Sequence, residues 1–173
     1  MREMGRQFVL GQDIDAAMAR AATSEAEGFT YSYDMLGEAA MTAGDAARYG
    51  RAYAAAIDAI ATACTHGDIG ANPGISIKLS ALHPRYEVAK TDRVMEELVP
   101  VLSHLARKAA AAGMGLNIDA EEMDRLGLSM AVIEAGLPDI LFIHLPDVDS
   151  AGHATGWMSA GQLLAISQRV KSA

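Results

Sequence analysis

The sequence predicts an α/β fold: an N-terminal helix, then about four βα units whose strands form a parallel sheet, arranged as a partial (β/α) barrel. Three observations lead there. Short apolar runs alternate with longer alanine-rich stretches of helical period, an order that calls for parallel pairing and right-handed crossovers. Glycine or proline punctuates most of the joints. Finally, a lysine stands inside the strand-like run 75–81 (ISIKLSA), on the face opposite its isoleucines. A sheet covered by helices on both faces would bury that lysine at a high cost. Near the C-terminal rim of a barrel it can meet solvent, a carboxylate or a ligand.

The elements follow in order. Residues 13–26 (DIDAAMARAATSEA) have helical period and stop at Gly28. Residues 29–36 (FTYSYDML) read as the first strand. Residues 42–64 read as a long helix without proline, dense in alanine, the residue with the highest helix propensity. The stretch 67–74 (GDIGANPG) is a loop; lacking a GK[ST] end, it is no phosphate-binding P-loop. Residues 75–81 are the second strand, and Pro84, which cannot donate to a ladder, marks its end. Residues 92–112 are helical, with Pro100 expected to kink or split them. After Gly113 and Gly115 come a third strand at 116–120 (LNIDA) and a helix at 121–135 with Gly127 as a weak spot. Residues 136–138 (GLP) turn the chain into a fourth strand at 139–145 (DILFIHL). A loop at 146–156 leads to a last helix at 159–170, with Ser159 as its N-cap.

Composition narrows the function. The 173 residues are enough for one substantial core. No apolar run approaches the ~20 residues of a membrane span. The opening MREMGRQFVLGQD carries no signal-peptide pattern, and the single Cys64 cannot close an internal disulfide, so a cytoplasmic location is expected. Cys64 itself is expected as a half-buried apolar side chain. A net charge of −8 argues against nucleic-acid binding and against adhesion to anionic membranes.

Strand alternation selects the candidate site. Ile75 and Ile77 share one face and Ser76 and Lys78 the other, with Leu79 and Ser80 expected to continue the two faces. Leu116 and Ile118 oppose Asn117 and Asp119, and Tyr31 and Tyr33 oppose Ser32 and Asp34. Three successive strands thus carry an ionisable residue opposite their larger side chains: Asp34, Lys78 and Asp119. Glu38 lies just beyond the first. Such a set either lines a site at the C-terminal rim or forms a structural ion-pair network, which lowers the cost of burial. His83 follows the second strand and is expected to order a loop rather than to carry protons.

The stretches MREMGRQFV, YSYDMLGEAA, PGISIKLSALHPRY, DRVMEELVP and NIDAEEMDRL resemble the proline dehydrogenase domain of the bifunctional bacterial proline-utilisation flavoproteins, over residues 1–135. The resemblance implies a distorted (β/α)8 barrel that holds FAD, oxidises L-proline to pyrroline-5-carboxylate and passes electrons to a quinone acceptor. It implies that Lys78 pairs with the substrate carboxylate, that Asp119 is an active-site aspartate, and that Glu38 positions a substrate-binding arginine. The family's later strands, which carry most FAD contacts and the paired arginines, have no counterpart in this sequence. A fragment inactive as an isolated chain, with weak FAD retention, is therefore expected.

Residues 136–173 read differently. PDILFIHLPDVDSAGHATGWMSAGQLL resembles the phosphodiesterases and nucleotide pyrophosphatases of the alkaline phosphatase superfamily. That resemblance implies that Asp149 and His153 bind a divalent metal such as zinc. Two ancestries would meet near Gly136, giving a strand–loop–helix tail on a partial barrel. A third reading is a non-catalytic α/β domain that self-associates through the open sheet edges of an incomplete barrel.

Overall fold

The computed structural model describes residues 9–119, 123–137 and 143–144. Helix α1 (Ile14–Glu25) starts at Asp13, whose carboxylate accepts the Ala16 N–H at 2.8 Å. It ends where Gly28 turns left-handed at φ 96°, with the Phe29 N–H returning to the Ser24 carbonyl and the Gly28 N–H to that of Glu25. Strand β1 is Ser32–Asp34. Helix α2 (Ala43–Ala61) opens on a capping box between Thr42 and Asp45. Strand β2 (Gly74–Lys78) runs directly into the single turn α3 (Leu79–Leu82). Helix α4 (Thr91–Ala111), strand β3 (Leu116–Asp119), helix α5 (Leu126–Gly136) and strand β4 (Ile143–His144) follow. Short 3-10 turns stand at Ile69–Ala71, Val88–Lys90 and Met123–Arg125.

The four strands pair in chain order, all parallel, as expected of successive βα units. The helices pack as a layer, α2 against α4 and α4 against α5, with α1 resting on α2. In α4 the apolar positions Val94, Leu98, Leu102, Leu105 and Ala109 recur at helical spacing and are all buried. They meet Ile75, Ile77 and Ile118 from the sheet and Tyr53, Ile57 and Ile60 from α2 in one core. Each fully buried large side chain there contributes roughly 1.5–3 kcal/mol. The isoleucine face of β2 therefore packs into a closed core, which leaves Lys78 to the other face.

Several boundaries differ from expectation. Strand β2 stops at Lys78, not Ala81, because Leu79–Leu82 coil into a helical turn that is buried at every position. Leu79 and Ser80 accordingly do not extend the two faces of the strand, and Pro84 lies well past its end. Pro100 does not split α4. A proline removes one backbone hydrogen bond, whereas the buried stripe of α4 runs on both sides of it. The helix after β3 begins only at Leu126, after a 3-10 turn, and extends through Gly136. The fourth strand is seen at Ile143–His144; the final helix lies outside the described residues.

Tyr33 links β1 to α1, its hydroxyl 3.2 Å from Glu25 Oε1 and its ring stacked near Tyr31. Burial and then the neighbouring Glu25 carboxylate push this phenol from 10.0 up to about 12. The folded state thus holds this proton more tightly than the unfolded chain. The stabilisation is complete below about pH 10 and is lost as pH rises towards 12. Spectrophotometric titration is expected to show a phenol ionising near pH 12 that Tyr33→Phe removes; an unchanged curve would contradict this.

Candidate functional site

Alternation places Ser32, Asp34, Ser76, Lys78, Asn117 and Asp119 on the face away from the helices, and their side chains form two layers across the strands. The first is uncharged: Ser32 Oγ lies 3.0 Å from Ser76 Oγ, and Asn117 Nδ2 donates to Ser32 Oγ at 2.9 Å. The second lies two residues further on in each strand and is charged. Lys78 Nζ donates to Asp119 Oδ2 at 2.7 Å and to Asp34 Oδ2 at 3.2 Å. Asp34 stands opposite Ser76 in the ladder yet reaches Lys78. A layer that cuts diagonally across strand register is what tilted strands produce in a barrel.

The charged layer opens to one side. The Lys78 side chain is 8% exposed, Asp119 26% and Asp34 47%. The ammonium is thus withdrawn from water and held by charge-assisted bonds, while the carboxylates remain partly hydrated. The layer lies at the C-terminal ends of three adjacent parallel strands, the end at which β/α folds carry out their chemistry.

Of the three residues expected to act, the structure joins Lys78 and Asp119, together with Asp34, the third ionisable residue that strand alternation had grouped with them. Glu38 stays apart: it is exposed, and among the described residues no hydrogen bond or ion pair links it to the other two. Its loop is nonetheless fixed. The Ser80 carbonyl accepts the Ala40 N–H at 2.9 Å, Ser80 Oγ lies 3.4 Å from the Ala39 nitrogen, and Ala39 is left-handed at φ 51°. Ser80 therefore supports the Glu38 loop rather than standing beside Lys78. Sequence reasoning had no means of seeing this, because it depends on α3 replacing the end of a strand.

His83 orders its loop, as expected. It is 2% exposed, its Nδ1 accepts the Arg85 N–H at 3.1 Å, and its Nε2 lies 3.1 Å from Glu97 Oε2. With Nδ1 accepting, the neutral ring carries its proton on Nε2 and donates to Glu97. Arg93 first, and His83 after it, hold the Glu97 carboxyl below its usual range. Cys64 is half-buried and points to the Ile60 and Pro73 carbonyls, and burial pushes its thiol up.

The described residues do not fit a flavin dinucleotide by themselves. Their glycine-rich loop, around Ile69–Ala71, precedes β2 and so lies at the opposite end of that strand from Lys78. Its Gly70 N–H is already taken by the Asp68 carboxylate at 3.0 Å. Among the described residues no group of three or more His, Cys, Asp or Glu could hold a metal, and Asp149 and His153 lie outside them.

The proline dehydrogenase family profile matches residues 17–148, a span that continues past Gly136. The chain is 57% identical over 134 residues to the bifunctional protein PutA of Salmonella typhimurium, covering 78% of this chain and 10% of that protein. To PutA of Rhizobium meliloti it is 54% identical over 134 residues, with the same coverage. Among solved structures, a mutant of proline utilization A from Bradyrhizobium japonicum superposes with a TM-score of 0.67 at 50% identity, covering 80% of this chain and 14% of that one. Proline utilization A from Bdellovibrio bacteriovorus, inactivated by N-propargylglycine, gives 0.71 at 21% identity over 80% of this chain and 16% of that one, a likeness of fold. The chain therefore spans about a tenth of the length of its curated relatives.

Proposed function

This chain belongs to the proline dehydrogenase family, and from that premise we propose that it is a segment of an FAD-dependent enzyme that oxidises L-proline to pyrroline-5-carboxylate and passes the electrons to a quinone. The observation that carries the proposal is the Lys78 ammonium held between Asp119 and Asp34 at the C-terminal ends of three adjacent strands. A cation flanked by two carboxylates suits a zwitterion. The ammonium attracts the carboxylate of an amino acid, and the two aspartates favour its positively charged nitrogen. The chain's part is to bind and orient one wall of the substrate. FAD, when bound, supplies the oxidant, and its site requires residues beyond those described; no oxidation step is assigned to this segment alone.

L-proline at millimolar concentration is expected to shift the NMR resonances of Lys78 and Asp119 in this chain. Pyrrolidine, lacking the carboxylate, and cyclopentanecarboxylate, lacking the amine, are expected to shift them less. Equal response to all three, or none, contradicts the reading. The purified chain is expected to be colourless, without stoichiometric flavin; a tight one-to-one flavin absorption band contradicts that.

The outer edge of β1 is unpaired among the described residues, which favours self-association through sheet edges. A monomer at all concentrations in sedimentation would exclude it. The divalent-metal reading of Asp149 and His153 rests on the tail motif; zinc retained after dialysis and lost on Asp149→Ala would support it. No described helix is long and apolar enough to cross a membrane, and a cytoplasmic location is part of the proposal.

A further inference from the structure

In β2 the backbone N–H groups alternate sides: that of Gly74 donates to the Tyr31 carbonyl beside β1, and that of Ile75 to the Gly115 carbonyl beside β3. By this alternation the Lys78 N–H faces β1. Yet β1 ends at Asp34, opposite Ser76, so no strand residue stands across from Lys78. The hydroxyl oxygen of Tyr53, a fully buried side chain of α2, accepts that N–H at 3.2 Å. A side chain thus substitutes for a missing ladder acceptor at the residue whose ammonium the site depends on. A buried N–H without a partner is costly, so this contact fixes the peptide from which the Lys78 side chain departs.

We propose that Tyr53 is a positioning residue for Lys78: its phenol oxygen completes the end of β2 and thereby holds the ammonium between Asp34 and Asp119. The inference rests on the proposed role of Lys78 in substrate binding, but its test does not require substrate. The contact joins the helix that follows the Glu38 loop to the strand that carries Lys78.

The test is Tyr53→Phe, which keeps the ring and removes the acceptor, beside Tyr86→Phe, which removes another buried hydroxyl contact, 2.6 Å from Ser129 Oγ. Amide hydrogen exchange at Lys78 is expected to rise ~10-fold relative to the Ile77 amide in Tyr53→Phe, with a moved Lys78 Nζ resonance. In Tyr86→Phe the two amides are expected to keep their ratio. A lower melting temperature in Tyr53→Phe with the Lys78 amide ratio and Nζ resonance unchanged would overturn the proposal and leave Tyr53 as core packing. Should Tyr53→Phe not fold, 3,5-difluorotyrosine incorporated into the otherwise unaltered chain weakens the acceptor instead. The Lys78 amide proton is then expected to shift more than that of Ile77, and an equal shift overturns the proposal. L-proline added to the unaltered chain tests the substrate reading separately, because the exchange ratio is read without it.

Discussion

Asp119→Ala is expected to lower the stability of the chain by about 3 kcal/mol, near the bottom of the range for removing one partner of a buried ion pair. The substitution takes the 2.7 Å partner from the Lys78 ammonium, 8% exposed, and keeps the more distant and half-exposed Asp34. Partial hydration from the Asp34 side keeps the loss from being larger. Asp119→Asn, which preserves shape and an acceptor oxygen, is expected to lose about half as much. Denaturant midpoints at unchanged slope measure both. A loss below ~0.5 kcal/mol for the alanine variant would mean that the pair is a surface contact in energetic terms.

Gly74→Ala is expected to cost about 2 kcal/mol, for a reason unrelated to charge. A Cβ at residue 74 would stand 2.8 Å from the Gly115 carbonyl oxygen, and that oxygen accepts the Ile75 N–H at 2.9 Å. The obstructing oxygen is a backbone atom of the residue just before β3, so relief requires β2 and β3 to part where their ladder begins. Because β2 carries Lys78 at its other end, the substitution is also expected to loosen the charged layer. Gly67→Ala serves as the control, since a Cβ there meets nothing within 4 Å. Equal midpoints for the two variants would contradict the close approach of the strands.

Periodicity and alternation made most of this architecture legible. Alternation along β2 and β3 identified the faces of Ile75, Ile77, Lys78 and Asp119 correctly, because a period of two depends only on extended backbone. It failed at Leu79 and Ser80, where the backbone leaves the extended region and the face assignment loses meaning. Pro100 was expected from local propensity to kink or split α4; the helix is not split, because the buried stripe from Val94 to Ala109 continues on both sides of one lost hydrogen bond. In the site, the pairing of Lys78 with Asp119 follows from direct register, whereas the reach of Asp34 to Lys78 depends on a diagonal that no single strand encodes. Tyr53 was invisible for a similar reason: it lies 25 positions from Lys78, in a helix whose pattern marks it only as core. Glu38 was placed by resemblance, and the described fold supplies its anchored loop but not the group it would position.

The measurement that bears most directly on the site is a double-mutant cycle between Lys78→Met and Asp119→Ala, read from denaturant midpoints of the two single variants and the double. A coupling of at least ~1 kcal/mol is expected, because each single change takes from the other group its 2.7 Å ion-pair contact, a loss that the double change does not repeat. Additive losses, with coupling indistinguishable from zero, would show that the ammonium and the carboxylate do not share a site.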